Sequence, residues 1–230
     1  MKKFVLACAG IVAASCVLLF SSCIGETGKR VVCKGEVVTR EISGLAGFEA
    51  LMVNGAADLT FVQAEEFSVT VKANAQVFDH IDYKVEDGVL LLQALDNVNI
   101  VAEEYDIRVA APYLASVTVN GAADFDVKGG YRADTDFAVT INGAGDFELR
   151  GIVVPGFFVT VNGAGDISAD NIDVETLEIT INGAGEAELS GKAEHARLSV
   201  SGAGEIDARQ LVCEDVSVRK SGVATVKLRK

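Results

Sequence analysis

The chain has 230 residues, half of them hydrophobic, and a formal net charge of −13 at pH 7. Such an acidic surface repels phosphate backbones and offers no polybasic patch to anionic lipids, which argues against nucleic acid as a partner. The sequence contains 23 glycines, two prolines and no tryptophan. With many β-branched residues, this composition is typical of strands joined by tight turns and not of a disordered chain.

The N-terminal segment has the pattern of an export signal. A basic start at Lys2 and Lys3 precedes an apolar run that ends in two serines directly before Cys23. This arrangement resembles the lipobox of bacterial lipoproteins. We therefore predict a lipoprotein signal peptide over residues 1–22, a lipid on Cys23, and a linker that ends at residue 35.

Two alternatives stay open for this segment. Phe20 is larger than the aliphatic residue usual three positions before such a cut, so an ordinary cleaved signal is one alternative. An uncleaved membrane helix is the other. The apolar run over residues 4–20 barely reaches the length that spans a bilayer, and no charged stop-transfer cluster follows it.

Two cysteines, Cys33 and Cys213, remain in the mature part of the chain. An oxidising envelope permits a disulfide between them. They lie near opposite ends of the mature sequence, however, and the ends of a linear repeat protein are also far apart in space. Two separate thiols are therefore favoured over a disulfide.

A short motif, Asn/Ser-Gly-Ala-Ala/Gly-Asp/Glu, recurs along the chain, with a worn copy at Ser221. Its copies begin at Asn54, Asn120, Asn142, Asn162, Asn182 and Ser201. From Asn120 to Ser221 the copies follow one another at a nearly constant spacing of about 20 residues, which indicates a solenoid. The first gap, from Asn54 to Asn120, is three times as long as the next one, so two intervening coils that have lost the motif are expected.

Alternating apolar residues flank each copy of the motif. Phe137, Val139 and Ile141 precede one copy, and Phe147 and Leu149 follow it. Period-two alternation predicts short strands with one buried face. The glycines of the motif are predicted to form corners between these strands: Gly143, Gly145, Gly163, Gly165, Gly183 and Gly185. The pattern predicts an all-β parallel β-helix, or solenoid, with coils of about 20 residues.

Stacked coils place equivalent residues about 4.8 Å apart. The motif asparagines are therefore expected to form a structural ladder in which each side-chain amide bonds the next. Contact with a ligand is the alternative role for them.

An acid closes each copy of the motif. Two stacked carboxylates repel by about 0.9 kcal/mol in water, so these acids should face solvent or share cations. The acids concerned are Asp124, Asp146, Asp166, Glu186 and Glu205. Solvated acids are favoured over a calcium-binding ladder, because the calcium-binding nonapeptide repeat differs in both motif and period.

The whole mature chain resembles one family. The resemblance rests on Phe48 before a strand, Asp87-Gly88-Val89-Leu90, Ala111-Pro112-Tyr113-Leu114 and the serial Asn/Ser-Gly-Ala-Gly corners. These features are similar to the GIN domain, which is assigned to the heads of autotransporter adhesins and is frequent in Bacteroidetes lipoproteins. The resemblance covers about residues 36–228. It implies a right-handed parallel β-solenoid over residues 36–230 and, more weakly, adhesion.

Catalysis is not favoured by the sequence. His80 and His195 are the only histidines, neither has zinc-like spacing, and His195 is expected in a turn after Gly191. A G-x-S-x-G elbow is absent. The Gly-Ala-Gly corners lack the third glycine and the following helix of a phosphate-binding loop.

A carbohydrate-active enzyme is the alternative to a binding protein. Some parallel β-helices are polysaccharide lyases, and Lys128, Arg132 and Arg150 lie near the motif acids. An exposed sugar-binding patch built from the four tyrosines at positions 83, 105, 113 and 131 also stays open.

The sequence predicts a lipid-anchored cell-envelope solenoid with a structural, adhesive or ligand-binding role. We expect no enzyme activity, cofactor or metal, an outer-membrane location on the periplasmic face or the cell surface, and a glycan or protein ligand. At the C-terminus, the basic residues near Lys220 predict that residues 216–230 cap the last coil. A docking site for an acidic partner is the alternative for this segment.

Overall fold

A computed structural model describes residues 29–95 and 98–229. The predicted signal peptide (1–22) and Cys23 lie outside this part of the chain. The described residues form one short 3₁₀ helix, η1 (Ala75–Asp79), and sixteen strands. In chain order these are β1 (Lys29–Cys33), β2 (Val37–Glu41), β3 (Ala50–Gln63), β4 (Ser68–Asn74), β5 (Ile81–Glu86), β6 (Val89–Ala94), β7 (Val98–Ala102), β8 (Tyr105–Ala111), β9 (Ser116–Lys128), β10 (Tyr131–Arg132), β11 (Phe137–Leu149), β12 (Ile152–Gly183), β13 (Glu186–Gly202), β14 (Glu205–Val212), β15 (Asp215–Gly222) and β16 (Thr225–Leu228). The all-β prediction is confirmed.

Strands β3, β9 and β11–β16 form a parallel array that we call the repeat stack. Each copy of the motif pairs with the next copy in register, so Asn54, Asn120 and Asn142 are direct neighbours across three strands. The 32-residue strand β12 is long enough to contribute to two successive repeats. Motif spacing in the sequence therefore predicts which residues lie side by side.

Alternating side chains of the repeat stack build its core. The residue before the Asn or Ser of each of the six full motif copies is almost completely buried, including Ile141, Val161 and Ile181. Burial of each such side chain stabilises the fold by about 1.5–3 kcal/mol. Phe137 and Phe157 also stack one above the other, with ring centroids 5.8 Å apart.

The front of the chain departs from the expected series of three equal coils. Strand β3 pairs directly with β9, with Asn54 beside Asn120, so no coil separates them. The intervening segment lies on the other edge of β3, where β6 and β8 pair with it in parallel. The physical reason is a reversal at Asp87–Gly88, where both residues have positive φ and β5 turns back as β6. Such a hairpin makes antiparallel pairs, which a uniform parallel stack cannot contain.

The two remaining cysteines are separate thiols. Cys33 is buried at the end of β1, and Cys213 follows β14 near the other end of the chain. Over residues 29–95 and 98–229, no helix has the length and apolar character needed to cross a bilayer.

Candidate functional site

The motif asparagines form a continuous hydrogen-bonded ladder along the repeat stack. The Nδ2 atom of Asn120 donates to Oδ1 of Asn54 at 2.8 Å, and Asn142 donates to Asn120 at 2.8 Å. Asn162 donates to Asn142 at 2.9 Å, and Asn182 donates to Asn162 at 3.0 Å. Each inner amide is thus engaged by its neighbours, which gives these side chains a structural role.

The first glycine of the motif is required by close approach of the backbone. A Cβ atom at Gly143 would lie 1.8 Å from the carbonyl oxygen of Gly121. At Gly163 and Gly183 the corresponding distance to the preceding glycine is 2.0 Å. These positions have φ near +150°, a conformation that L side chains rarely adopt.

The second glycine of the motif is less uniform. A Cβ atom would lie 2.0 Å from a carbonyl oxygen at Gly145 and 2.4 Å at Gly185, but 3.4 Å at Gly165. The last of these distances is ordinary van der Waals contact. Gly165 is therefore the one predicted corner glycine at which the structure has room for a methyl group.

The motif acids are accommodated by solvent and by protein donors. Asp124 and Asp166 are exposed, and their Oδ1 atoms accept the backbone N–H of Asp146 and Glu186 at 2.9 Å. Glu205 forms an ion pair with Lys227. Asp124, Asp166 and Glu205 are thus each engaged by a group of the protein itself.

Asp58 is the motif acid whose pKa is most clearly perturbed. Partial burial raises the pKa of Asp58 above its usual range, and the negative charges of Asp124, Asp106 and Glu104 raise it further. In the part of the chain that the structure describes, no three His, Cys, Asp or Glu side chains are grouped to hold a metal ion.

A groove of about 800 Å³, which we call the long groove, crosses five successive repeats. It is lined by three-residue segments that stack on one another: residues 132–134, 153–155, 173–175, 192–194 and 212–214. Backbone pairing fixes their register, with Arg132 beside Val153 and Lys192 between Asp173 and Val212. The three middle segments lie within strands β12 and β13, whereas residues 133–134 and 213–214 directly follow the ends of β10 and β14.

The floor and walls of the long groove differ in chemistry. Its floor is apolar, and Val154, Val174 and Ala193 are all buried there. One wall carries a column of exposed acids: Asp134, Glu175, Glu194 and Glu214. The other wall mixes charges, with Lys192 beside Asp173 and with Arg132 in the first repeat of the groove. An apolar strip edged by carboxylates suits an extended ligand that carries both apolar and cationic groups.

This acid column was missed from the sequence, although a signal was present. Glu175, Glu194 and Glu214 recur with the same period as the motif. Pro155 takes the place of an acid in the second repeat of the groove. Scanning every position for the motif's period would have found the column.

The three basic residues suggested for a lyase do not converge. Arg132 lies in the long groove, whereas Arg150 pairs with Glu148 at 3.0 Å and Lys128 pairs with Asp126. Each of the latter two bases is neutralised by an acid two residues before it in the chain. A lyase needs acids and bases that converge on one atom of its substrate. These three basic residues do not form such an arrangement.

His195 lies in strand β13, so the prediction of a turn is wrong. Gly191 does not end the strand; its backbone approaches Ile172, and a Cβ atom there would lie 2.2 Å from the carbonyl oxygen of Ile172. The imidazole Nδ1 of His195 lies 2.8 Å from Oδ2 of Asp215, with both side chains exposed. This pair borders a shallow depression of about 270 Å³.

The tyrosines do not form a sugar-binding patch. Tyr131 is buried and its hydroxyl donates to the carbonyl of Leu114 at 2.6 Å, while burial raises the pKa of Tyr131. Tyr83 and Tyr105 face each other with their hydroxyl oxygens 3.4 Å apart. These three rings are therefore parts of the packed structure.

Together these features define a class: an all-β repeat protein with a structural ladder at its corners and a long groove on its surface. The sequence matches the family described as "Putative auto-transporter adhesin, head GIN domain" over residues 47–230. Because the match covers most of the chain, the protein belongs to the GIN domain family, as the resemblance predicted.

Solved structures share this fold. A "putative adhesin" from Parabacteroides distasonis is 20% identical with a TM-score of 0.79, over 87% of this chain and 84% of that one. A "putative lipid binding protein" from the same species is 18% identical with a TM-score of 0.74, over 88% and 100%. A "putative adhesin" from Parabacteroides merdae is 18% identical with a TM-score of 0.70, over 87% and 99%. No curated protein matches the sequence.

Proposed function

We propose that this protein is a cell-envelope adhesin that binds an extended ligand along the long groove. The observation that carries the proposal is the groove itself, in which an apolar floor and an acid column continue through five repeats. Its volume lies within the range of about 300–1,000 Å³ typical of ligand sites. Four steps of about 4.8 Å give the groove a length of about 19 Å, which suits a linear ligand.

The architecture proposed for this role is a right-handed parallel β-solenoid with coils of about 20 residues. The in-register parallel pairing of successive motifs supports it. Strands β12 and β13 hold Glu175 and Glu194 on a hydrogen-bonded backbone, so the conformation of these two acids should change little on binding. Little conformational entropy is then lost when a ligand docks.

The ligand that fits best is a polypeptide segment or glycan with amino groups. Exposed Glu175, Glu194 and Glu214 supply negative charge at intervals of one repeat. Exposed Val212 and half-buried Val153 and Pro155 supply the apolar contact surface. Electrostatic attraction of this kind chiefly speeds association and weakens as salt is added. Binding should therefore be salt-dependent, with slower association at high ionic strength.

The sharpest test is a charge reversal in the groove with a matched control. The variant Glu175→Lys/Glu194→Lys changes two exposed groove acids. The control Glu36→Lys/Glu41→Lys makes the same charge change at two exposed acids, one in strand β2 and one directly before it, at the opposite end of the sheet order. Both proteins are applied to arrays of cationic peptides and amino-sugar glycans, and to phosphatidylcholine vesicles. Loss of array binding in the groove variant alone supports the proposal. Equal binding by both variants, or binding to vesicles alone, contradicts it; the latter outcome would favour a lipid ligand, the role named for the Parabacteroides distasonis neighbour.

We further propose that a lipid on Cys23 anchors the protein in the outer membrane, with a linker that ends before strand β1 (Lys29–Cys33) and not at residue 35. The signal pattern of residues 1–22 supports this. Replacing Cys23 by Ser should release the protein into the soluble fraction and change its electrophoretic mobility. A Cys23→Ser protein that stays in the membrane fraction with unchanged mobility would rule out the anchor. Protease treatment of intact cells then shows whether the groove faces outward.

A further inference from the structure

The C-terminal edge of the repeat stack is open. Within the described residues, β15 pairs with β13 alone and β16 pairs with β14 alone. One side of each strand therefore presents backbone N–H and C=O groups that no other described strand satisfies. An eight-residue strand with such an edge is a template for a further strand.

Apolar side chains accompany this edge. Leu198 and Val200 are buried in the penultimate repeat, whereas Val218, which stacks on Leu198, is 37% exposed. Val223 and Leu228 are exposed as well. The columns that form the core elsewhere thus end at the last repeat partly uncovered, and a strand added there would bury them.

The edge is also basic in an otherwise acidic protein. Between Asp215 and Arg229 the chain carries four basic side chains and one acidic side chain. Lys220 occupies the column that is apolar in the other repeats, because it stacks on Val200. Among the described residues, neither Lys220 nor Arg219 forms an ion pair, whereas Lys227 is paired with Glu205. Two positive charges are therefore available to a ligand.

We propose that the β15–β16 edge binds an extended, acidic segment of a partner protein, which adds as the next strand of the sheet. Strand addition satisfies the free backbone groups, and the side chains of alternate residues provide specificity. In the parallel register used by the stack, the partner would place apolar residues beside Val216 and Val218. It would place a carboxylate beside Lys220.

A second copy of this chain fits the edge less well. Two such edges brought together would oppose like charges at Arg219 and Lys220, which costs free energy. Two edge strands lie away from the C-terminal edge. Strand β2, at the other end of the sheet order, carries one acid and one base, Glu41 and Arg40, so its net charge is zero. The acids of β5, Asp82 and Glu86, already pair with Lys84, at 3.5 and 3.0 Å. Neither edge therefore has much negative charge with which to neutralise the basic edge.

The test uses synthetic peptides and amide chemical shifts of the ¹⁵N-labelled protein. The probe is Thr-Val-Thr-Val-Thr-Glu-Ser-Gly, which aligns its Glu with Lys220. One control peptide has Lys in place of Glu, and another has N-methyl groups on alternate residues and lacks those backbone donors. We expect the Glu peptide to shift the amide signals of β15. Lys220→Glu should weaken its binding about fivefold and favour the Lys peptide.

Arg108→Glu is the matched protein control, because Arg108 is exposed on β8, far along the sheet order from β15. It should bind the Glu peptide as the unmodified protein does. Equal binding of the N-methylated peptide would overturn strand addition and indicate simple attraction of an anion. Concentration-dependent self-association that Lys220→Glu abolishes would instead identify a second copy as the occupant. No shift in β15 with any peptide would also overturn the proposal.

Discussion

Replacing Gly143 by Ala tests the close approach that holds successive corners together. The added Cβ would lie 1.8 Å from the carbonyl oxygen of Gly121, against 3.4 Å for ordinary contact, so the two repeats would have to move apart to admit it. Overpacking of this kind costs about 1–3 kcal/mol and a strained backbone about 1–3 kcal/mol. We therefore expect Gly143→Ala to lower the free energy of unfolding by about 2–6 kcal/mol.

Gly165→Ala is the control, because at this second glycine of the next motif copy the added Cβ would lie 3.4 Å from the nearest atom. The position equivalent to Gly143 in that copy is Gly163, where the distance is 2.0 Å. In Gly165→Ala the smaller entropy of the unfolded chain should leave stability unchanged or raise it by about 0.4–1 kcal/mol. Urea unfolding followed by far-UV circular dichroism compares the two variants, since the chain has no tryptophan. Equal losses in both variants, or no loss in Gly143→Ala, would refute the close-approach argument.

Three further predictions concern the ladder, a titrating acid and the last repeat. Asn142→Ala removes two hydrogen bonds of the ladder, whereas Asn182→Ala removes one. In urea unfolding, the free energy of unfolding should therefore fall by roughly 1–3 kcal/mol in Asn142→Ala and by roughly 0.5–1.5 kcal/mol in Asn182→Ala. Equal losses would contradict a continuous ladder. Because the folded state raises the pKa of Asp58, its ionised form is disfavoured in the fold, so Asp58→Asn should stabilise the protein at pH 7. This gain should fade as pH falls and Asp58 becomes protonated, and a pH-independent gain would point to another cause. Ending the chain after Glu214 exposes Leu198, whose burial stabilises the fold by about 1.5–3 kcal/mol. The truncated protein should therefore aggregate, as measured by size-exclusion chromatography. A monomeric, equally stable product would contradict a capping role.

The parallel register of the repeats could be predicted because each copy of the motif pairs with the equivalent residues of the next copy. Asn120, Asn142 and Asn162 occupy equivalent positions, and a side-chain amide bonds best with an identical amide one strand away. The front half could not be predicted in this way. The gap between Asn54 and Asn120 matched three periods in length, and only the reversal at Asp87–Gly88 shows that the segment folds back along the other edge of β3.

Glycine has two structural roles in this chain, in turns and in strands that lie close together. The sequence pattern alone does not distinguish the two roles. At Gly88 a positive φ makes a hairpin turn. At Gly191 the strand continues, and glycine is needed because the backbone of Ile172 lies too close for a side chain. The expected turn at His195 failed for this reason, since an isolated glycine within a strand also marks a bulge or a close backbone approach.

Fold and binding chemistry are encoded by different residues of the same repeat. The inward-facing column that contains Ile141 and the corner glycines such as Gly143 fix the stack, so substitution there disturbs every neighbouring repeat. Outward-facing residues such as Glu175 and Glu194 contribute little to packing because they are exposed. Their charge can change with small effect on stability, usually within about 0.5 kcal/mol for surface positions. Under the two binding proposals, the choice of ligand depends on the side chains that line the long groove and the C-terminal edge, whereas the corner motif specifies only the scaffold that presents them.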